Sequence, residues 1–410
     1  MLQKPRGTRD FLPDEMEARR AIEMRLREGA RRWGYREVAT PVFEELELFT
    51  LRSGEGIVGE MYVFEDKGGR KMALRPEITA PVLRMYVNEA RVWPKPLRWC
   101  YFADCFRYER PQKGRYRQFW QFGVEQIGAD SAIADAEVIS LASELLDCTG
   151  VTFTLHIGHL AFMRQLLAGI DPAIQRRVRQ FLDKKEYRDL IAFLEEQDRG
   201  ELAGQLTALV ESRSPAEAFE ICGGIPEKER ILETFRLLDQ AGIHYMLNAG
   251  IARGLDYYTG IVFEGFAENL GAENQIMGGG GYRLAHLFGG DDLPSCGFAI
   301  GFDRVMVSRG ELPRKKEQII GIVHTAEGRG RALQVARAFR DAGIRTEIDL
   351  SDRGMGAQIA HASRVADFVV IIGGREAASG RVTIKDLRSG SQKDLALDEA
   401  MAEVTASGAR

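Results

Sequence analysis

Helical periodicity opens the chain. From Asp14 to Trp33, the residues Met16, Arg20, Met24 and Arg27 fall at near-helical spacing, and Gly34 stops the run. Tyr35–Ala39 then reads as a strand that ends before Pro41. Strand-like runs follow at Met61–Phe64, Lys71–Leu74, Leu97–Phe102 and Gln118–Glu125. Turns separate them, with no full crossover helices, so the pattern predicts an antiparallel sheet. From about Asp171 to Ala241 the chain turns polar and low in β-branched residues. Its apolar positions group as Val178, Phe181, Leu182 and Leu190, Phe193, Leu194, which predicts a helical insertion. Strand-like, glycine-rich sequence resumes at Tyr245 and runs to Arg309.

The charged stretch Gly310–Glu317 reads as a linker. Beyond it strands and helices alternate: Ile319–His324, Gly328–Ala342, Arg345–Ile348, a helix near Gln358–Val365, and Phe368–Ile372. That alternation predicts a small α/β domain with a partly parallel sheet. The expected division is therefore a first domain over residues 1–316, its insertion at about 171–241, and a second over 317–410.

Composition narrows the class. At 410 residues the chain holds two to three domains of about 150 residues each. It is 45% hydrophobic and 28% charged, which excludes wholesale disorder. With 56 Lys plus Arg against 60 Asp plus Glu it is not a globally basic nucleic-acid coat, although local basic surfaces remain open. Five scattered cysteines without a CxxC pair exclude a disulfide framework and a structural zinc site, and no metal-ligand set is recognisable. The first residues lack the apolar core of a signal peptide, and no apolar run approaches the ~18 residues of a membrane span. A soluble, cytoplasmic protein without a membrane partner is expected.

Three familiar signals fail. There is no GxxxxGK[ST] loop. Gly278-Gly279-Gly280-Gly281 lacks the GxGxxG spacing and reads as a close backbone approach or a tight bend. His156-Ile157-Gly158-His159 spells the class I synthetase tetrapeptide, but it lies mid-chain after a strand-like run, without the partner Lys-Met-Ser-Lys-Ser loop. It reads as a strand end leading into a helix.

Four other segments carry more chemistry than a strand needs. They are Arg75–Thr79, Arg107–Phe119, Ala252–Gly260 and Cys296–Val305. The second joins two strand-like halves through a basic loop. Such a loop suits a solvated hairpin, and equally a platform whose guanidinium forks match phosphate oxygens.

In this order, the segments resemble the class II aminoacyl-tRNA synthetases, and within them the histidyl-tRNA synthetase family, over essentially the whole chain. Arg6–Asp10 resembles that family's opening motif, and the first helix, strand and Pro41 resemble motif 1, which implies a homodimer. Phe106–Glu125 resembles motif 2, Gly301–Arg304 motif 3, and Arg253–Tyr258 the histidine signature. The implied fold is α+β: an antiparallel sheet flanked by helices, with a helical insertion and a C-terminal α/β anticodon-binding domain. The implied reaction uses ATP, with magnesium expected, to activate L-histidine and transfer it to the 3' end of histidine tRNA.

The resemblance also implies roles. Arg107 would hold the α-phosphate, Glu109 and Phe119 the adenine, and Arg304 the γ-phosphate. Glu77, Thr79 and Gln121 would bind the α-ammonium of histidine; Glu125 and Tyr258 would hydrogen-bond its ring, with Tyr257 lining the pocket. Arg253 would bridge the histidine carboxylate and the α-phosphate, making Arg107 and Arg253 the catalytic pair. Gln112, Lys113 and Arg115 would approach the tRNA acceptor end. Joining two anions builds negative charge at phosphorus, where a fixed cation is worth about 3 kcal/mol or more. Neutral imidazole offers one donor and one acceptor, which a buried glutamate and a tyrosine hydroxyl match. One departure stands out: where many relatives read Gly-Gly-Arg-Tyr-Asp, this chain has Gly281 and Arg283 at the arginine and aspartate positions. The rival implication is a non-catalytic, histidine-sensing regulatory subunit of ATP phosphoribosyltransferase. Such paralogues typically lack the C-terminal domain and carry degraded ATP motifs, whereas this chain has the domain and the motifs.

Overall fold

The structure, a computed structural model, describes residues 2–111, 114–184, 186–251, 257–270, 274–310, 318–351 and 353–408. Gln112, Lys113, Arg253 and the linker at 311–317 lie outside the described residues. The chain divides into two compact units, Met1–Leu312 and Pro313–Arg410.

The first helix, α1, spans Pro13–Arg32. Pro13 opens it, Asp14 and Glu15 occupy its first turn and Arg31 and Arg32 its last, each matched to the helix dipole. The expected stripe is displaced, however. The buried face is Arg19, Ile22, Glu23, Leu26 and Ala30, whereas Met24 is 68% exposed. Arg19 and Glu23 are buried because both are paired: Arg19 with Asp303 at 2.8 Å, Glu23 with Arg27 at 2.8 Å.

Strands β1 (Arg36–Glu37), β2 (Phe43–Glu45), β3 (Val63–Glu65), β4 (Lys71–Leu74), β5 (Leu97–Phe106) and β6 (Gln118–Ile127) follow. Then come β7 (Phe153–His159), β8 (Met246–Leu247), β9 (Tyr258–Ala267), β10 (Gln275–Tyr282) and β11 (Ser295–Gly301). Eight of them form one sheet in the order β1-β5-β6-β11-β10-β9-β7-β8, while β2, β4 and β3 form a small separate one. The large sheet is antiparallel except at its edges, where β1 pairs with β5 and β8 with β7 in parallel. Helices α2 (Leu46–Ser53) and α3 (Thr79–Met85) stand where only turns were expected. Both are short, so neither gives a long periodic signal.

Helices α4 (Ala132–Thr149) and α5 (Leu160–Leu166) flank the sheet. Residues 171–241 carry five more: α6 (Pro172–Lys184), α7 (Tyr187–Glu196), α8 (Gly200–Glu211), α9 (Pro215–Cys222) and α10 (Lys228–Gln240). Val178, Phe181, Leu182, Leu190 and Leu194 are buried there, as the spacing predicts. Helix α11 (Phe302–Arg309) leaves the end of β11. The His156–His159 tetrapeptide is the end of β7 leading into α5, and the His159 ring accepts a hydrogen bond from the amide of Ala161 at 3.2 Å. The glycine run is no bend: it is extended within β10. A Cβ at Gly280 would stand 2.6 Å from the carbonyl oxygen of Ile261, so the close approach is real.

In the second unit β12 (Ile319–His324), α12 (Arg329–Asp341), β13 (Arg345–Ile348), α13 (Met355–Ala362) and β14 (Phe368–Ile372) alternate as the sequence predicts. Two more antiparallel strands, β15 (Val382–Asp386) and β16 (Gln392–Leu395), and a closing helix, α15 (Leu397–Gly408), follow the short α14 (Gly374–Ser379). The strand order is β13-β12-β14-β15-β16.

Candidate active site

Side chains alternate between the two faces of a strand, and β6 uses that alternation fully. Phe122 and Val124 face the core beside Leu26, Val138 and Leu145. Phe119, Gln121 and Glu125 face the other way, into a cavity of about 610 Å³. Glu125 lies six positions beyond Phe119, which is about 20 Å along the strand.

Of the residues singled out in the sequence, Glu77, Thr79, Arg107, Glu109, Arg115, Phe119, Gln121, Glu125, Tyr257, Tyr258 and Arg304 all line this one cavity. They come from four separate stretches of chain. Arg283 is not among its lining residues. Its guanidinium pairs with Asp130 at 3.0 Å and Asp292 at 3.3 Å, so the acid-to-base departure has its own partners outside the cavity.

The Arg107 end is cationic. Arg107 donates from Nε to the Pro76 carbonyl at 2.9 Å and lies 5.1 Å from the Phe119 ring centroid. It forms no ion pair with a carboxylate among the described residues, so its remaining N–H groups are not committed to an internal charge. Arg304, in the first turn of α11, donates to the carbonyls of Gly114 at 3.3 Å and Gln275 at 2.7 Å. Arg115 pairs with Glu109.

The far end is buried and polar. Glu125 is 1% exposed. It accepts a hydrogen bond from Tyr101 at 3.2 Å and another from Tyr282. Burial pushes its carboxyl up to about 7, against the lowering effect of these donors. Tyr101, Tyr258 and Tyr282 are pushed well above the ordinary phenol range by burial, so they stay protonated donors. Two glycines make room for this cluster. A Cβ on Gly297, opposite Glu125 across β11, would collide with the Glu125 carboxylate. A Cβ on Gly123 would collide with the Tyr101 hydroxyl that reaches Glu125.

Between the ends lies Glu77. Its carboxylate accepts from the amide of Ala80 at 3.2 Å, in the first turn of α3, and pairs with Arg52 at 2.7 Å. Arg52 in turn lies over the Tyr257 ring at 4.6 Å, and Tyr257 is 4.0 Å from Tyr258, centroid to centroid. Sequence reading missed Arg52, Tyr101 and Tyr282. Arg52 sits in an ordinary amphipathic helix and carries no local signal. Tyr282 is legible only through its place at the end of the glycine run.

In the second unit, two arginines bond backbone carbonyls of the same unit. Arg340 donates to the Thr346 carbonyl at 3.0 Å, and Arg331 to that of Gly380 at 2.6 Å.

A family model described as "Histidyl-tRNA synthetase" matches residues 7–305, and one described as "Anticodon binding domain" matches residues 318–407. The chain is 71% identical over 410 residues to the histidine–tRNA ligase of Methanoregula boonei, covering 100% of each. It resembles the crystal structure of apo S. aureus histidyl-tRNA synthetase at 27% identity and a TM-score of 0.74, over 98% of this chain and 100% of that one. A structure from Bacillus halodurans, titled as an ATP phosphoribosyltransferase regulatory subunit/histidyl-tRNA synthetase, matches at 26% identity and a TM-score of 0.79. That match covers 91% of this chain and 99% of that one. A cation-lined cavity ending on a buried glutamate, a match from residue 7 to residue 305, and a full-length relative at 71% identity converge: the chain belongs to the histidyl-tRNA synthetase family.

Proposed function

We propose that the protein is a histidine–tRNA ligase: it condenses L-histidine with ATP to histidyl-adenylate, releasing pyrophosphate, and transfers the histidyl group to the 3' end of histidine tRNA. The observation that carries the reading is the pairing, in one cavity, of uncommitted Arg107 with a buried glutamate ringed by tyrosine hydroxyls. An anionic triphosphate and a neutral imidazole need those two environments.

The adenine stacks on Phe119 and bonds Glu109, the α-phosphate meets Arg107, and Arg304 faces the γ-phosphate. At the other end Glu125 accepts the imidazole N–H while Tyr258 donates to the second ring nitrogen, with Tyr257 alongside. An analogue lacking the ring nitrogens would leave Glu125 buried and unpaired, which can reject it by about 10⁴-fold without editing. Glu77, Thr79 and Gln121 take the α-ammonium. Arg253, from the histidine signature, bridges the substrate carboxylate and the α-phosphate. Arg107 and Arg253 then stabilise charge that grows only in the transition state. Gln112, Lys113 and Arg115 belong to the loop offered to the acceptor end of the tRNA.

Magnesium enters with ATP. The buried carboxylate of Glu264 lines the cavity and accepts from Gln275 at 2.9 Å. One such oxygen ligand suits an ion that keeps phosphate and water for its other positions. A second copy of the chain is the occupant proposed for the small sheet's exposed Phe43 and Phe64, whose rings meet edge to face at 6.1 Å. The unit at Pro313–Arg410 reads the anticodon. No helix among the described residues is long and apolar enough to cross a membrane, and a cytoplasmic location is part of the proposal.

ATP–pyrophosphate exchange with each of the twenty amino acids tests the reading: histidine alone should support exchange. Exchange with another amino acid, or none with histidine, overturns it. Loss of exchange in Arg253→Ala, with the thermal transition retained, is the expected result for the bridging arginine.

A further inference from the structure

The opening segment Arg6–Asp10 has no part in the chemistry above, yet it is tied to the cavity wall by a set of specific contacts. Asp303, buried in the first turn of α11, receives both Arg9 and Arg19 on Oδ1, Arg19 at 2.8 Å. Its Oδ2 accepts the Trp120 amide at 2.7 Å. The Arg9 guanidinium also lies 3.7 Å from the centroid of the Tyr116 ring. The amide of Arg117 donates to the Gly7 carbonyl at 2.9 Å. Gly7 has φ +83°, and a Cβ there would stand 2.7 Å from Cγ of Arg117, so the strap lies flat on the loop only with glycine.

The strap thus holds two things together. One is the return limb of the loop between β5 and β6, which brings Gly114, Arg115 and Tyr116 to the cavity. The other is the start of α11, where Asp303 precedes Arg304, itself bonded to the Gly114 carbonyl. One buried carboxylate facing two guanidinium groups has one cation more than neutrality needs. Arg19, on α1, supplies the pairing the fold requires. Arg9, the less buried of the two, adds a second guanidinium on the same oxygen and so ties the strap to the start of α11.

We infer that residues 7–9 form a clamp for the nucleotide end of the cavity, and that Arg9 is its positioning residue, acting through Asp303 and Tyr116 on the placement of Arg304 and the loop. The inference rests on the assignment of the Arg107–Arg304 end to ATP and the Glu125 end to histidine. Misplacing positioning groups by small distances costs large factors in binding and rate.

The test measures Mg·ATP and L-histidine binding separately, by calorimetry, on the full chain as wild type, Arg9→Ala and Arg9→Lys. Arg9→Ala should bind ATP about tenfold more weakly, with histidine affinity changed less than about twofold, because the clamp touches only one end. Arg9→Lys keeps the charge but loses the fork and the ring stacking, and should fall between. Unchanged ATP affinity, or a parallel weakening of both ligands, overturns the clamp. Should Arg9→Ala melt below the assay temperature, Arg9→Lys is judged by the same criterion. Failure of the functional reading shows differently, as a wild-type chain that binds no histidine.

Discussion

Replacing Glu125 by glutamine separates what this residue does for the fold from what it does for the substrate. Its carboxyl is raised from 4.5 to about 7 by burial. At about 1.4 kcal/mol per unit, holding it ionised costs the ligand-free fold about 3 kcal/mol. For a carboxyl raised in this way, the folded state binds the extra proton. Its contribution is fully present below pH 4.5 and is lost as pH rises through 7. Glutamine removes the titration while keeping an oxygen for the Tyr101 or Tyr282 hydroxyl. The unit Met1–Leu312 should have an unfolding entropy of about 0.65 kcal/mol/K at the usual value per residue, so 3 kcal/mol corresponds to about 5 °C. Melting of wild type and Glu125→Gln, each without ligand at pH 5 and pH 8, gives the result directly. About 2.5 kcal/mol of this is lost between pH 5 and pH 8, so the midpoint of the variant relative to wild type should rise by about 4 °C between the two pH values. Added histidine should raise the wild-type midpoint and leave that of the variant nearly unmoved. A difference between the two proteins that is flat with pH refutes the buried, proton-holding glutamate. Equal protection by histidine refutes its role as ring partner.

Tyr282→Phe removes a donor that lowers the Glu125 carboxyl; the pH transition in the variant's stability should lie above that of wild type and the KM for histidine rise, while the KM for ATP stays put. Gly297→Ala drives a methyl into the Glu125 carboxylate, so histidine-dependent exchange should fall at least tenfold, a loss of about 1.4 kcal/mol; normal exchange would show that this wall can yield. Arg19→Ala leaves Asp303 the partly exposed Arg9 as its cation, and should destabilise the fold by about 3 kcal/mol in denaturant titrations, far more than Arg9→Ala. A chain ending after Glu317 should keep histidine-dependent pyrophosphate exchange but charge tRNA poorly; unimpaired charging would remove the anticodon role from the second unit.

Regular periodicity was legible. The helix at Pro13–Arg32, the five-helix stretch between 171 and 241, and the strand–helix alternation after 318 all appear in the spacing of apolar residues. Motif order also carried over, since Arg107, Phe119, Gln121, Glu125, Tyr258 and Arg304 do meet in one cavity. What failed locally failed for identifiable reasons. On α1 the long side chains of Met24 and Arg20 mimic an apolar stripe, while Arg19 and Glu23, charged and therefore expected outside, are buried by pairing. The glycine run at 278–281 reads as a close backbone approach or a tight bend, and only the structure selects the first: it lies extended, with neighbouring strands and the Tyr258 ring pressed against it.

Local spacing acts through near neighbours, so this chain's own residues settle which stretches are helix or strand and which groups carry charge. They do not settle what each charge meets. Asp303 is bound by Arg9 and Arg19, almost three hundred positions away, and Glu125 by Tyr282 on another strand. Arg52 is joined to Glu77, with strands β3 and β4 between them in the chain. Those pairings set the proton held by Glu125 and the clamp at the nucleotide end. They exist only once burial has excluded water and left each partner as the one available answer to the other's charge.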